Sequence, residues 1–472
     1  MNADGPQELP EPDDQAARAT LAAAPAQPSL IDLARVEPSI ERATRARYHG
    51  EVTRVSGFLV EARGLPAGIG DLCRIERGRR RQPGVDDSTL AEVVGFSEGH
   101  TLLMPHGDAE GIAPSQRVLA VGRPFDVPVG DGLLGRVLNG FGEPLDGREL
   151  PRDLPRRPAQ AQAPGPLERE PIDEPLQTGV RALDGLLTLG RGQRLGIFAG
   201  SGVGKSSLLG QIAGGTDADV IVIGLIGERG REVRTFLDEV LGPQGKQKAV
   251  TVVATSDRPP IERYSAPFVA LTIAEHFRDQ GLNVLCVMDS ITRFAAASRE
   301  IGLAAGEPPT LRGYPPRFFA TIPKIVERMG RTGKGSITGL LTVLLDGDDP
   351  NEPVADTLRG LLDGHVVLSR ELAERGHFPA IDVLASLSRL MPDLTTDQHR
   401  AAAQALREDL AVWRDGKDLI EVGAYRPGAN PRLDAAVGRR ELHDAFLRQG
   451  RGEPSDFDRT ELLLRAIFEA QG

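Results

Sequence analysis

Residues 198–210 read FAGSGVGKSSLLG, so three glycines, a lysine and two serines fall within the seven positions from Gly200 to Ser206. From Ala199 to Ser206 the spacing fits the phosphate-loop pattern, with alanine in place of its first glycine. Polyphosphate chemistry explains the residue types. Successive backbone N–H groups curl around the anion, the positive end of the next helix faces it, and Gly200, Gly202 and Gly204 permit that turn without Cβ clashes. Lys205 would reach the β- and γ-phosphates of a nucleotide, and the Ser206 hydroxyl would ligate Mg2+. The cradle is expected to comprise Gly200, Ser201, Gly202, Val203, Gly204, Lys205, Ser206 and Ser207.

Two further stretches add carboxylates. In GERGREV, Glu228 and Arg229 follow an apolar run and fall at the carboxyl edge of a parallel sheet, where ligands of open α/β sheets lie. A carboxylate there could polarise an attacking water; a surface Glu–Arg pair fits the heptapeptide equally well. In NVLCVMDS an apolar strand ends in Asp289, and an acid at the tip of a strand beside the phosphate loop is the usual second anchor for magnesium and its waters. Loop, Glu228 and Asp289 together make a hydrolase constellation.

These residues need a scaffold, and the hydrophobic pattern supplies one. RLGIFAG, ADVIVIGLIG, AVTVVATS and NVLCVMDS read as buried strands, with helical stretches such as REVRTFLDEVLG and PFVALTIAEHFRDQG between them. That alternation predicts an α/β domain with a mostly parallel sheet over residues 124–395, which the resemblance given below makes RecA-like. Before it, residues 46–123 hold short apolar or alternating runs punctuated by glycine, proline and aspartate, the pattern of a small antiparallel β-barrel or sandwich. The run Arg79, Arg80, Arg81 falls between two of these strands and reads as a solvated hairpin tip. Residues 396–472 are helical in pattern and carry the single tryptophan, Trp413. Residues 1–45, rich in proline and alanine, read as a disordered tail, in which residues 29–45 have a loosely helical spacing suited to ordering on a partner.

Composition narrows the function classes. Of 472 residues, 40% are apolar and 26% charged, as expected for a globular chain of two or three domains. The net charge of −11 argues against broad nucleic-acid binding. Cys73 and Cys286 read as two buried thiols, because no CxxC pair accompanies them. No apolar run approaches a membrane span and the first residues lack the order of a secretion signal, so a cytoplasmic location is expected.

The stretches LIGERGREV, VPVGDGLLGRVLNGFGEPLDG, PLQTGVRALDGLLTLGRGQRLGIFAGSGVGKSSL, MDSITRFAAASREIGLAAGEPP, GYPP and DGHVVLSRELAERGHFPAIDVLASLSR together resemble the ATPase of type III secretion, over about residues 47–450. That family serves virulence injectisomes and flagellar export, and is similar to the catalytic subunit of rotary ATP synthases. VVATSDRP and NEPVADTLRGLLDGHVVLSR look more like the injectisome branch, and GYPP and FAGSGVGKS equally or more flagellar; the injectisome is favoured, with a flagellar export ATPase and the catalytic subunit of a rotary ATP synthase or ion pump as alternatives. The resemblance implies a homohexamer that uses ATP and Mg2+ to release chaperones from export substrates and unfold them. It gives Lys205, Glu228, Arg229, Asp289 and Arg389 catalytic roles, Glu228 as the activator of water and Arg389 as a finger reaching the neighbouring subunit's site. Phe378 would stack on adenine, and Arg293 matches a further active-site arginine. Implied partners are a stator-type regulator at the N-terminus, a central stalk protein in the ring pore near the acidic loop Asp346 to Pro353, and chaperone–substrate complexes at the C-terminal domain. The protein would sit at the inner face of the membrane export gate.

Overall fold

The computed structural model describes residues 49–77, 88–345, 352–453 and 455–469. The expected N-terminal tail, the arginine run 79–81 and most of the acidic loop, residues 346–351, lie outside the described residues.

Alternation at period two governs the first described segment. Six strands, β1 (His49–Ser56), β2 (Leu59–Arg63), β3 (Asp71–Glu76), β4 (Ser88–Ser97), β5 (His100–Pro105) and β6 (Arg117–Pro124), close into an antiparallel barrel in the order β1-β2-β5-β4-β3-β6. Closure removes both free sheet edges, which decides for a barrel over a sandwich. Val60, Ala62, Cys73, Ile75, Leu103 and Val118 fill its interior. Cys73 is thus a packed core thiol, and burial pushes its pKa up to about 12.

The next strands are apolar on both faces, as a sheet covered on both sides requires. They are β7 (Val137–Asn139), β8 (Arg194–Ala199), β9 (Val220–Ile226), β10 (Ala249–Ala254), β11 (Asn283–Asp289), β12 (Ser336–Leu344), β13 (Gly364–Leu368) and β14 (Leu387–Ser388). Their order is β14-β13-β8-β12-β11-β9-β10-β7, parallel throughout except for the antiparallel pair β13–β14. Successive residues of β9 feed opposite cores. Val222 and Ile226 belong to one, and Ile221, Ile223 and Leu225 to the other. The sequence places Asp289 on a strand beside the phosphate loop, and the topology corrects this: β12 lies between β8 and β11.

Helices cover both faces. The short α1 (Arg181–Leu186) and the phosphate-loop helix α2 (Lys205–Gly215) lie on one side, and α3 (Pro260–Asp279), α4 (Ile291–Ala304) and α5 (Pro316–Glu327) on the other. The C-terminal domain is helical: α6 (Asp397–Glu421), α7 (Pro431–Gly438), α8 (Arg440–Leu447) and α9 (Phe457–Glu469). Side-chain caps start two of these, Thr396 accepting from the His399 N–H at 3.1 Å and Asn430 from the Arg432 N–H at 3.1 Å. Inside, Asp409 takes two hydrogen bonds from the Arg439 guanidinium, at 2.7 and 2.8 Å.

The barrel meets the α/β domain through Leu59, Val94, Leu102 and Met104 packed with Phe141, Ile261 and Ile301. His106 stacks on Phe141 at 4.0 Å between ring centroids. In this joint sits Glu92, only 6% exposed. Burial pushes its carboxyl up to about 7, against the attraction of Arg317. Arg317 itself is taken up by the Val94 carbonyl at 2.6 Å and by Glu307 at 2.7 Å.

The folded chain therefore holds a proton on Glu92 that the unfolded chain releases from its ordinary value of 4.5. This contribution to stability is present in full below that value and is lost as pH rises through about 7. Glu92→Gln should flatten the fall in stability between pH 5 and pH 8 by an amount on the order of a few kcal/mol, read from urea midpoints at each pH. Identical pH profiles for the two proteins would mean that Glu92 is ionised in the fold.

Candidate active site

The phosphate loop leaves β8 at Ala199 and enters α2 at Lys205. Gly202 (φ +80°) and Gly204 (φ +96°) take left-handed backbone that a side chain would strain. A Cβ on Gly204 would also come within 3.3 Å of the Phe378 ring. Between them Val203 is buried against the core below and pins the loop. The first bond of α2 runs from the Leu208 N–H to the Gly204 carbonyl, at 3.0 Å. The N–H groups of Lys205, Ser206 and Ser207 therefore have no carbonyl within their own helix, and they face a cleft of about 740 Å³. An anion at this helix start meets those donors and the positive end of the helix dipole.

Two acids converge on Lys205. Its ammonium pairs closely with Asp289 at the end of β11, and lies 3.5 Å from Glu228, which follows β9. Asp289 is 2% exposed, and the Thr342 hydroxyl of the intervening β12 donates to it at 2.7 Å. Burial is the main force on Glu228, with Asp289 adding to it and Lys205 opposing. The carboxyl is pushed up to about 7. It hydrogen-bonds Glu232, whose own pKa is held down by that bond and by Arg229, 3.1 Å away.

The donor set suits magnesium brought in with a nucleotide. Among the described residues no group of three or more His, Cys, Asp or Glu could hold a metal alone. Ser206 lines the cleft and Asp289 lies buried behind it, reached through Lys205; both are hard oxygen donors. A divalent ion here would take its remaining ligands from phosphate and water, as Mg2+ does.

The other expected residues separate into two groups. Gly200, Ser201, Ser207, Arg229, Arg293 and Phe378 all line the cleft. The aliphatic part of Arg293 packs over Gly227, where a Cβ would come within 2.7 Å of it. Phe378 is 45% exposed on the cleft wall and is no core residue. Arg389 stands apart. It follows β14 at the edge of the sheet, is exposed, touches the Arg359 carbonyl at 3.5 Å, and does not line this cleft.

Sequence reasoning missed Glu232, Thr342 and the turn Gln449–Arg451. Glu232 gives no helical-spacing signal, because Glu228 lies before the short helix that begins at Gly230. Thr342 has none, since only the strand order brings it to Asp289. The turn closes the cleft from the C-terminal domain, 244 positions from the Ser207 that Arg451 touches.

Models of known families match the chain in three consecutive parts. Residues 52–122 match the beta-barrel domain of the ATP synthase alpha/beta family, and 179–388 its nucleotide-binding domain. Residues 395–466 match the T3SS EscN ATPase C-terminal domain. The flagellum-specific ATP synthase of Bacillus subtilis (strain 168) is 50% identical over 439 residues, covering 93% of this chain and 98% of that protein. A type 3 secretion system ATPase of Xanthomonas euvesicatoria is 48% identical over 447 residues, covering 93% and 99%. Among solved structures, the assembled ATPase EscN of the enteropathogenic E. coli type III secretion system is 45% identical, with a TM-score of 0.83 over 89% of this chain and 99% of that one. The same protein in complex with its central stalk EscO gives a TM-score of 0.81. With its phosphate-loop cleft and this likeness along nearly its whole length, the chain belongs to the family of type III secretion and flagellar export ATPases, within the ATP synthase alpha/beta family, and is an ATP hydrolase.

Proposed function

We propose that this chain is the Mg2+-dependent ATPase of a type III protein secretion apparatus, acting as a homohexameric ring that releases chaperones from export substrates and unfolds them. The observation that carries this reading is the meeting of Lys205, Asp289 and Glu228 at one cleft whose lining does not include Arg389. Residues 46–123, 124–395 and 396–472 serve as barrel, ATPase and substrate-facing domains. The tail 1–45 takes a stator-type regulator, and a central stalk protein enters the ring pore past the acidic loop. No helix among the described residues is long and apolar enough to cross a membrane. A cytoplasmic protein held peripherally at the inner face of the export gate accords with this. The second reading is flagellar export, which the 50% identity to a flagellum-specific relative favours. The partners that co-purify with the chain distinguish the two.

The chemistry divides among the side chains. Backbone N–H groups from Gly200 to Ser207 cradle the phosphates, and Lys205 turns from the two acids to the β- and γ-oxygens. Ser206 and Asp289 hold Mg2+, which neutralises charge on those oxygens when bound. Glu228, ionised, orients and deprotonates the attacking water. Phe378 stacks on adenine, and Arg229 and Arg293 hold the wall around Glu228. Arg389 of a neighbouring subunit stabilises the charge that develops on the γ-phosphate, an effect of about 10³ to 10⁵ in rate.

Lys205→Ala should abolish both nucleotide binding and hydrolysis, whereas Glu228→Gln should abolish hydrolysis and leave binding nearly intact. Because the base must be deprotonated, kcat/KM of the unaltered chain should rise with pH through about 7 and then level off. Wild-type turnover by Glu228→Gln removes this residue from the mechanism.

If Arg389 acts in trans, Arg389→Ala and Lys205→Ala are each inactive for different reasons. Mixed rings then contain some interfaces with both an intact phosphate loop and an intact finger, and a fraction of the ATPase activity returns. Mixed rings that form, as seen by mass photometry, but stay as inactive as either variant exclude a finger in trans.

A further inference from the structure

The turn after α8 is built into the nucleotide cleft more firmly than a surface loop would be. Gln449 is 4% exposed, and each end of its amide is used. Its Oε1 accepts from the Arg181 N–H at 2.8 Å, and its Nε2 donates to the carbonyls of Gly179 at 2.8 Å and Glu453 at 3.0 Å. Its backbone N–H donates to the carbonyl of Phe378 at 2.9 Å. Next, the Gly450 carbonyl accepts from Gln211 of α2 at 3.1 Å. These bonds aim Arg451 at the start of α2, where its guanidinium meets the Ser207 hydroxyl.

Arg451 is an exposed cation in the cleft wall, and no carboxylate is paired with it among the described residues. Lys205, by contrast, already carries two acids and Arg229 one. The guanidinium lies beside the residue whose N–H closes the phosphate cradle, and its fork of donors matches phosphate oxygens. The turn also leads straight out of α8. Arg181 holds the last turn of that helix through the Phe446 carbonyl at 2.9 Å. At its first residue, Arg440 stacks on the ring of Trp413 at 4.0 Å. Trp413 is the chain's only tryptophan.

Resting on the ATPase reading above, we propose that Arg451 is a phosphate ligand of the bound nucleotide, supplied by the C-terminal domain. Through the Gln449–Arg451 turn and α8, nucleotide occupancy is passed to the helices around Trp413. Arg451 contributes binding, not water activation, so its loss weakens affinity before it touches the chemical step.

The test is calorimetric titration of the full chain with ADP, AMP and adenosine, together with Trp413 emission on adding ADP. Arg451→Ala should weaken ADP and AMP about 10-fold or more while leaving adenosine within about twofold, because only the phosphate contact is lost. The ADP-induced change in Trp413 emission should disappear. Arg451→Gln, which keeps a hydrogen bond to Ser207 without the charge, should lose ADP affinity likewise and decides the matter if the alanine variant does not fold. Unchanged ADP affinity in Arg451→Gln, or an equal loss for adenosine and ADP, overturns the assignment. An unaltered chain that binds ADP with no change in Trp413 emission overturns the coupling. An unaltered chain that binds no ADP fails at the earlier step, and the ATPase reading goes with it.

Discussion

The cleft is organised around one ammonium group between two carboxylates. Asp289 and Glu228 would repel each other and resist burial if nothing stood between them, and Lys205 is what makes their approach tolerable. The arrangement is deliberately incomplete as a salt bridge. Asp289 receives both Lys205 and the Thr342 hydroxyl, whereas Glu228 stays at the edge of ionisation near neutrality. A group poised there can exist in either protonation state at working pH, which suits a residue that must accept a proton and return it.

Such a trio can form only if three chain segments far apart in sequence end at the same height on one side of the sheet. Parallel pairing provides this, because every strand delivers its carboxyl end to the same edge. The register is explicit: Leu225 pairs with Asp289, and Ala199 with Leu344. The glycines then decide how closely the loop can approach. Gly204 both takes the left-handed turn and leaves space for the Phe378 ring, so the cleft wall at Phe378 and the turn of the loop share a single position.

The degree to which the site was legible follows from how local each constraint is. Phosphate recognition uses consecutive backbone N–H groups, so Gly200 to Ser207 betray it in eight letters. The strands were legible too, since burial on both faces writes itself as unbroken apolar runs. Strand order is not written locally, and so the insertion of β12, with Thr342 on it, was invisible. Phe378 and Arg389 carry no local signature at all and entered by family resemblance. The barrel was ambiguous with a sandwich for a similar reason. Period two declares which face is buried, but closure depends on whether β1 meets β6.

Charge arithmetic suggests why the cleft draws on distant parts of the molecule. At its own sheet edge, the chain offers Lys205, already neutralised by two acids, Arg229, bound to Glu232, and Arg293, packed over Gly227. A triphosphate arriving here needs more positive charge than this edge has to spare. On the proposed reading the shortfall is met from three sources: Mg2+ at Ser206 and Asp289, Arg451 from the C-terminal domain, and Arg389 from the next subunit. Each source reports on something different, namely the metal, the position of the chain's own C-terminal helices, and the presence of a neighbour. A site that supplied all its cations locally would hydrolyse ATP regardless of its surroundings. One that borrows them can act only when the C-terminal domain is docked and the ring is closed, and this makes hydrolysis answerable to the machine around it.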